Sequence, residues 1–90
     1  MGLDAVVDDD LVRVTDATFE GGYGVVGDST REAMEMGARL EGLVLDPVYT
    51  AKGFAALIDF VRSGEPRGPT VFVHTGGLPA VFAYGQSILR

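Results

Sequence analysis

Hydrophobic positions along the chain fall into three short β-branched runs and three helical stripes. Leu11-Val12-Arg13-Val14-Thr15 alternates in the manner of a strand. After Asp28-Ser29-Thr30, the residues Ala33, Met36, Gly37 and Leu40 recur at i, i+3, i+4 and i+7, and Arg31, Glu35, Arg39 and Glu41 mostly face elsewhere. That spacing predicts an amphipathic helix ended by Gly42, with Ser29 and Glu32 in a capping-box pattern. Leu43-Val44-Leu45 reads as a short buried strand. Phe54, Leu57, Ile58 and Val61 predict a second helix from near Thr50 to about Ser63, apolar on most sides and so covered from more than one direction. Thr70-Val71-Phe72-Val73-His74 lacks polar alternation and reads as a strand with both faces covered. Pro79 begins a last short helix through Ala83 or Tyr84. The expected fold class is therefore α/β, with about three short strands and three helices in one unit without an internal boundary.

Three polar loops separate these elements. In Phe19–Gly27 four glycines surround Tyr23 and allow positive φ, which suits either a flexible surface loop or one that presents Tyr23 into a site. In Asp46-Pro47-Val48-Tyr49-Thr50-Ala51-Lys52-Gly53, Pro47 lacks an amide donor and pushes Asp46 toward an extended conformation. Tyr49 and Thr50 then stand at a helix N-terminus, beside amides that would suit an anionic or cofactor-bound ligand; a buried turn is the alternative. Thr75-Gly76-Gly77 joins a strand to a helix start, where α/β folds place ligands. Parallel α/β topology would bring the three loops together.

Composition narrows the function classes. Thirteen acidic against seven basic residues give a net charge of −6, which argues against nucleic acid and anionic membrane partners. Asp8-Asp9-Asp10 reads as a solvated turn, with a calcium loop as the alternative. With no cysteine there is no disulfide, thiolate nucleophile or cysteine-ligated zinc, and no other metal-ligand spacing occurs. The N-terminus has no signal-peptide pattern and no apolar run is long enough to span a bilayer, so a cytoplasmic protein is expected. A hydrophobic content of 47% is high for 90 residues, which predicts apolar surface facing a partner or a missing part of the molecule.

Gly22-Tyr23-Gly24-Val25, Leu45-Asp46-Pro47-Val48-Tyr49-Thr50-Ala51-Lys52 and Phe72-Val73-His74-Thr75-Gly76-Gly77-Leu78-Pro79-Ala80 closely resemble the C-terminal part of one enzyme family. It is the D-cysteine desulfhydrase and 1-aminocyclopropane-1-carboxylate deaminase family, pyridoxal-phosphate enzymes of the tryptophan-synthase β-subunit fold. The resemblance runs from about Leu11 to Ala83, with the motifs in the family's order and spacing. It implies that Tyr49 and Tyr23 are the catalytic, substrate-side tyrosines. Thr50 and Thr75 would lie near the cofactor's pyridine nitrogen, with Gly76 lining the ring end. The deaminase branch resembles Tyr-Glu and His-Leu-Gly-Gly at these places, whereas this chain has Tyr49-Thr50 and His74-Thr75-Gly76-Gly77. A carboxylate beside the pyridine nitrogen would hold it protonated, while a threonine hydroxyl bonds it without that charge. The departure favours β-elimination of D-cysteine to pyruvate, hydrogen sulfide and ammonia. A deaminase-like enzyme part is the alternative within the family.

The family's cofactor lysine and phosphate loop belong to its N-terminal part. Lys52, the one lysine here, lies a turn into the Tyr-Thr-x-Lys helix and reads as a surface or structural residue. His74 reads as a hydrogen-bonded structural histidine and Asp46 as a turn or cap residue; Asp46 and Asp59 are not placed as an acid–base pair. Ser87 has no Ser–His–Asp context. The chain is accordingly expected to be a C-terminal part, inactive alone, that takes a small amino-acid substrate and forms a homo-oligomer or joins a missing N-terminal part. A small non-catalytic interaction or ligand-binding module is the rival of another class.

Overall fold

A computed structural model describes residues 9–16 and 21–89. It contains a 3-10 turn at Asp9–Leu11 and four α-helices: α1 (Asp28–Glu41), α2 (Thr50–Arg62), α3 (Pro79–Ala83) and α4 (Gly85–Ile88). The N-terminal residues up to Asp8 and the Phe19-Glu20 start of the glycine loop lie outside the described residues.

The α/β expectation is overturned, because no strand occurs among the described residues. Leu11 closes the 3-10 turn, and the residues after it form no ladder. Leu43-Val44-Leu45 and Val71–His74 lack ladders too, and the bond that joins them comes from a side chain, His74 Nε2 to the Val44 carbonyl at 2.8 Å. β-Branched runs favour a pleated conformation, but a strand exists only where a neighbouring backbone takes up its amides and carbonyls. The third run is not covered on both faces either: Phe72 is half-buried, while Val71 and Val73 are 85% and 71% exposed.

The two long helices carry the packing. Gly27 caps α1 through its backbone only, so the helix begins at Asp28, and Glu32 reaches across to Arg62 of α2 at 2.6 Å. The buried stripe of α1 is Thr30, Ala33 and Gly37; Met36 is half-buried and Leu40 exposed, a narrower face than the periodicity predicts. α2 buries Thr50, Ala51 and Ala55. Small side chains on both helices let the backbones approach closely, so the core is compact but thin. At the end of α1, Gly42 adopts φ 65°, and the Gly42 and Leu43 amides donate to the Ala38 and Gly37 carbonyls at 3.2 and 2.9 Å. The chain reverses there and lays Leu45, itself buried, over Gly37. Phe72 then stacks edge-on against Phe54 of α2 at 5.2 Å between ring centres. Arg31 Nε donates to the Ser87 carbonyl at 2.9 Å and holds α4 against α1.

Two glycine substitutions separate packing from helix propensity. A Cβ on Gly37 would stand 2.9 Å from Leu45 Cδ1, and Leu45 is sealed in the core. Gly37→Ala is therefore expected to destabilise by about 1–3 kcal/mol through overpacking. Gly53, exposed on α2, would place its Cβ at an ordinary 3.7 Å from Phe72. Gly53→Ala should stabilise by roughly 0.5–1 kcal/mol. Urea unfolding followed by helical circular dichroism reads both, and equal effects would refute the close α1–Leu45 approach.

Candidate functional site

The site is built outward from Asp46, whose side chain is buried at the start of α2. Its Oδ2 accepts the Val48 and Tyr49 amides at 2.9 and 2.8 Å, and its Oδ1 accepts the Thr50 amide at 2.9 Å and the Thr50 hydroxyl at 2.6 Å. In return the Asp46 amide donates to Thr50 Oγ1 at 2.9 Å, and the Ala51 amide donates to the Asp46 carbonyl at 2.9 Å. Burial pushes the Asp46 carboxyl up, but the Thr50 hydroxyl and the amides of Thr50, Tyr49 and Val48 outweigh it and hold the group below its ordinary value. The helix N-terminus that the sequence suggests as an anion site thus already holds an anion, supplied by the chain itself.

This cap fixes which way the next two residues point. Thr50 faces inward and is buried, while Tyr49 faces outward with 55% of its surface exposed. Tyr49 Oη meets Tyr23 Oη at 2.6 Å, and the two rings stand edge to face, 5.9 Å apart. The glycine loop is held in place from α2 as well, since Lys52 Nζ donates to the Gly22 carbonyl at 3.0 Å. The hydrogen bond with Tyr49, then repulsion from the Tyr49 oxygen, then slight desolvation push the Tyr23 hydroxyl above its ordinary value.

The third loop arrives against the same carboxylate. Gly77 has φ 90°, and a Cβ there would meet the Asp46 carboxylate carbon at 2.6 Å, so the turn packs on Asp46 as only glycine permits. His74 braces that turn: its Nδ1 accepts the Gly76 amide at 3.1 Å, which leaves the proton on Nε2 for the Val44 carbonyl. Thr75 lies between these anchors, exposed and without a hydrogen-bond partner among the described residues.

The residues implied by the resemblance therefore divide. Tyr23, Tyr49 and Thr75 present accessible hydroxyls that fit a substrate and the pyridine end of a cofactor. Thr50 does not fit a direct cofactor contact, because it is buried, its proton goes to Asp46 and one lone pair takes the Asp46 amide. The Gly76 amide is likewise engaged, by His74. None of the α2 amides held by Asp46 is available to a phosphate. His74 is the hydrogen-bonded structural histidine that the sequence suggests, while sequence reasoning missed two anchors: Gly77 on Asp46, and Tyr84, whose Oη would lie 2.7 Å from a Cβ on Gly24. Only the glycine at position 24 hinted at the last.

A sizeable concavity lies elsewhere. It holds about 590 Å³ between residues 13–15 and the Ala56, Leu57 and Phe60 flank of α2, and none of the implied site residues lines it. Its walls bring together none of the three motifs, so its size does not mark the functional site. No metal-binding group of acidic or histidine side chains occurs among the described residues, and no described helix is long and apolar enough to cross a membrane. No protein-family model matches the chain.

Two substitutions test the construction. Asp46→Asn removes one acceptor oxygen and turns an NH₂ toward donors, and should cost about 2–3 kcal/mol at neutral pH. The carboxyl is more acidic folded than unfolded, so its contribution is complete above about pH 4, its unfolded value, and disappears as pH falls through the lowered folded value. Wild-type and Asp46→Asn stabilities should therefore converge in acid, and a constant gap would contradict the cap. Separately, Tyr49→Phe should bring the Tyr23 titration, read from the ring Cζ resonance, down toward about 10. An unchanged titration would mean that the phenol pair does not form in solution.

Proposed function

We propose that this chain supplies the substrate-facing and ring-end residues of a pyridoxal-phosphate-dependent lyase site of the D-cysteine desulfhydrase type. The observation that carries the reading is convergence. Of three loops separated by some twenty to thirty residues, two pack on the third, the glycine loop through Tyr23–Tyr49 and Lys52–Gly22 and the Gly76-Gly77 turn through Gly77 on Asp46, and they are the three stretches on which the family resemblance rests. The lysine that carries the cofactor and the loop that holds its phosphate come from a further polypeptide segment in this reading, so the chain alone is inactive. The protein works in cytoplasmic amino-acid metabolism.

Bound beside these residues, pyridoxal phosphate supplies the electron withdrawal that loosens the α-proton of an amino acid. The chain's own part is positioning and proton handling. Thr75 offers a neutral hydroxyl to the ring's pyridine nitrogen. Tyr49 Oη, backed by Tyr23 Oη at 2.6 Å, holds a proton on the substrate side. Thr50 acts from behind, through Asp46, by keeping Tyr49 turned outward. The net reaction takes D-cysteine and water to pyruvate, hydrogen sulfide and ammonia.

The test is a chimera in which residues 11–83 replace the corresponding part of a family enzyme. It should release sulfide from D-cysteine in preference to opening the cyclopropane substrate, and Tyr49→Phe should lower turnover about 10²–10⁴-fold. A chimera that folds and binds cofactor, yet turns over neither substrate or ignores Tyr49→Phe, overturns the reading. Loss of the D-cysteine preference in Thr75→Leu, at the exposed position of the two, would support the choice of branch.

A further inference from the structure

From Pro69 to His74 the chain runs without a turn or bend, and its side chains alternate: Phe72 lies on Gly53 and Phe54, while Val71 and Val73 stand in solvent. Among the described residues no main-chain amide or carbonyl of Val71, Phe72 or Val73 makes a hydrogen bond. These peptide groups form an open edge, and what satisfies an open edge is another strand. The charge pattern indicates whose strand. All 13 acidic residues lie at or before Glu65, and residues 68–89 contain no Asp, Glu, Lys or Arg. A chain of net charge −6 meets its own kind with least repulsion there. Of the other two runs, Val12-Arg13-Val14 is enclosed by Asp9, Asp10 and Asp16, and in Leu43-Val44-Leu45 the Leu43 amide and the Val44 carbonyl are already bonded, to Gly37 and His74.

We propose that residues 71–73 pair antiparallel with the same residues of a second copy, about a two-fold axis at Phe72. In that register Val71 opposes the partner's Val73 and the reverse, so the interface is self-complementary and its four valines form one face. The pairing rests on the open edge and the charge distribution, and stands whether or not the lyase reading does.

Sedimentation equilibrium combined with amide exchange tests it on the intact chain. A concentration-dependent dimer is expected, with alternate amides of the segment, either that of Phe72 or those of Val71 and Val73, gaining protection as dimer forms. Val71→Lys/Val73→Lys places like charges opposite each other at exposed positions, and should weaken dimerisation on the order of a hundredfold. Unchanged helical circular dichroism shows that the variant still folds. A monomer at every concentration, a dimer whose 71–73 amides exchange freely, or an undiminished dimer in the double variant overturns the proposal. Protection of these amides only when another polypeptide is added overturns it too, and assigns the edge to that partner.

Discussion

The Asp46 carboxylate is the constraint on which the rest of the structure depends. Four donors converge on it, three of them amides that a helix N-terminus leaves without partners. Its burial carries a desolvation penalty, and the charged hydrogen bonds offset it. One side chain thereby starts α2, turns Thr50 inward and Tyr49 outward, and provides the floor against which the Gly76-Gly77 turn rests. Pro47 contributes by donating no amide of its own, so the donors at the carboxylate come from the three residues after it.

Much of the helical part is legible in the sequence because its signals are local. The period of apolar residues, the stop at Gly42 and the start near Thr50 depend on neighbours a turn away, and α1 and α2 lie where that pattern puts them. The strands fail for the opposite reason. Leu43-Val44-Leu45 and Val71-Phe72-Val73 have strand composition, but a ladder is a property of two segments, and His74 links these two through its ring. The buried face of α1 is also narrower than its periodicity, since Leu45 covers Gly37 and nothing described covers Leu40.

The candidate site shows the same division. The resemblance in three separated motifs is what suggests grouping Tyr23, Tyr49 and Thr75, and the phenol pair brings the first two within hydrogen-bond distance. Which of the adjacent residues Tyr49 and Thr50 faces out cannot be read from composition. It is decided by the backbone at the start of α2, which the Asp46 carboxylate sets by taking the Val48, Tyr49 and Thr50 amides together with the Thr50 hydroxyl. An N-terminal run of unpaired amides looks the same in sequence whether a bound anion or the preceding aspartate fills it.

A thin core and an open perimeter have one cause. The residues buried in common by α1 and α2 are small, so little apolar surface is removed from water for each residue ordered. The radius of gyration is 15.0 Å, whereas about 12 Å is usual for a compact chain of this length. Large apolar side chains consequently remain outside along the whole described chain, from Leu11 and Val14 to Leu40 and Val61, and Val71, Val73, Phe82 and Leu89 do so in the segment 68–89 that lacks charge. That segment includes the Thr75-Gly76-Gly77 turn. In the proposed dimer the paired segment would end two peptide bonds before Thr75, so association at the edge would also stiffen the approach to that turn and couple the two.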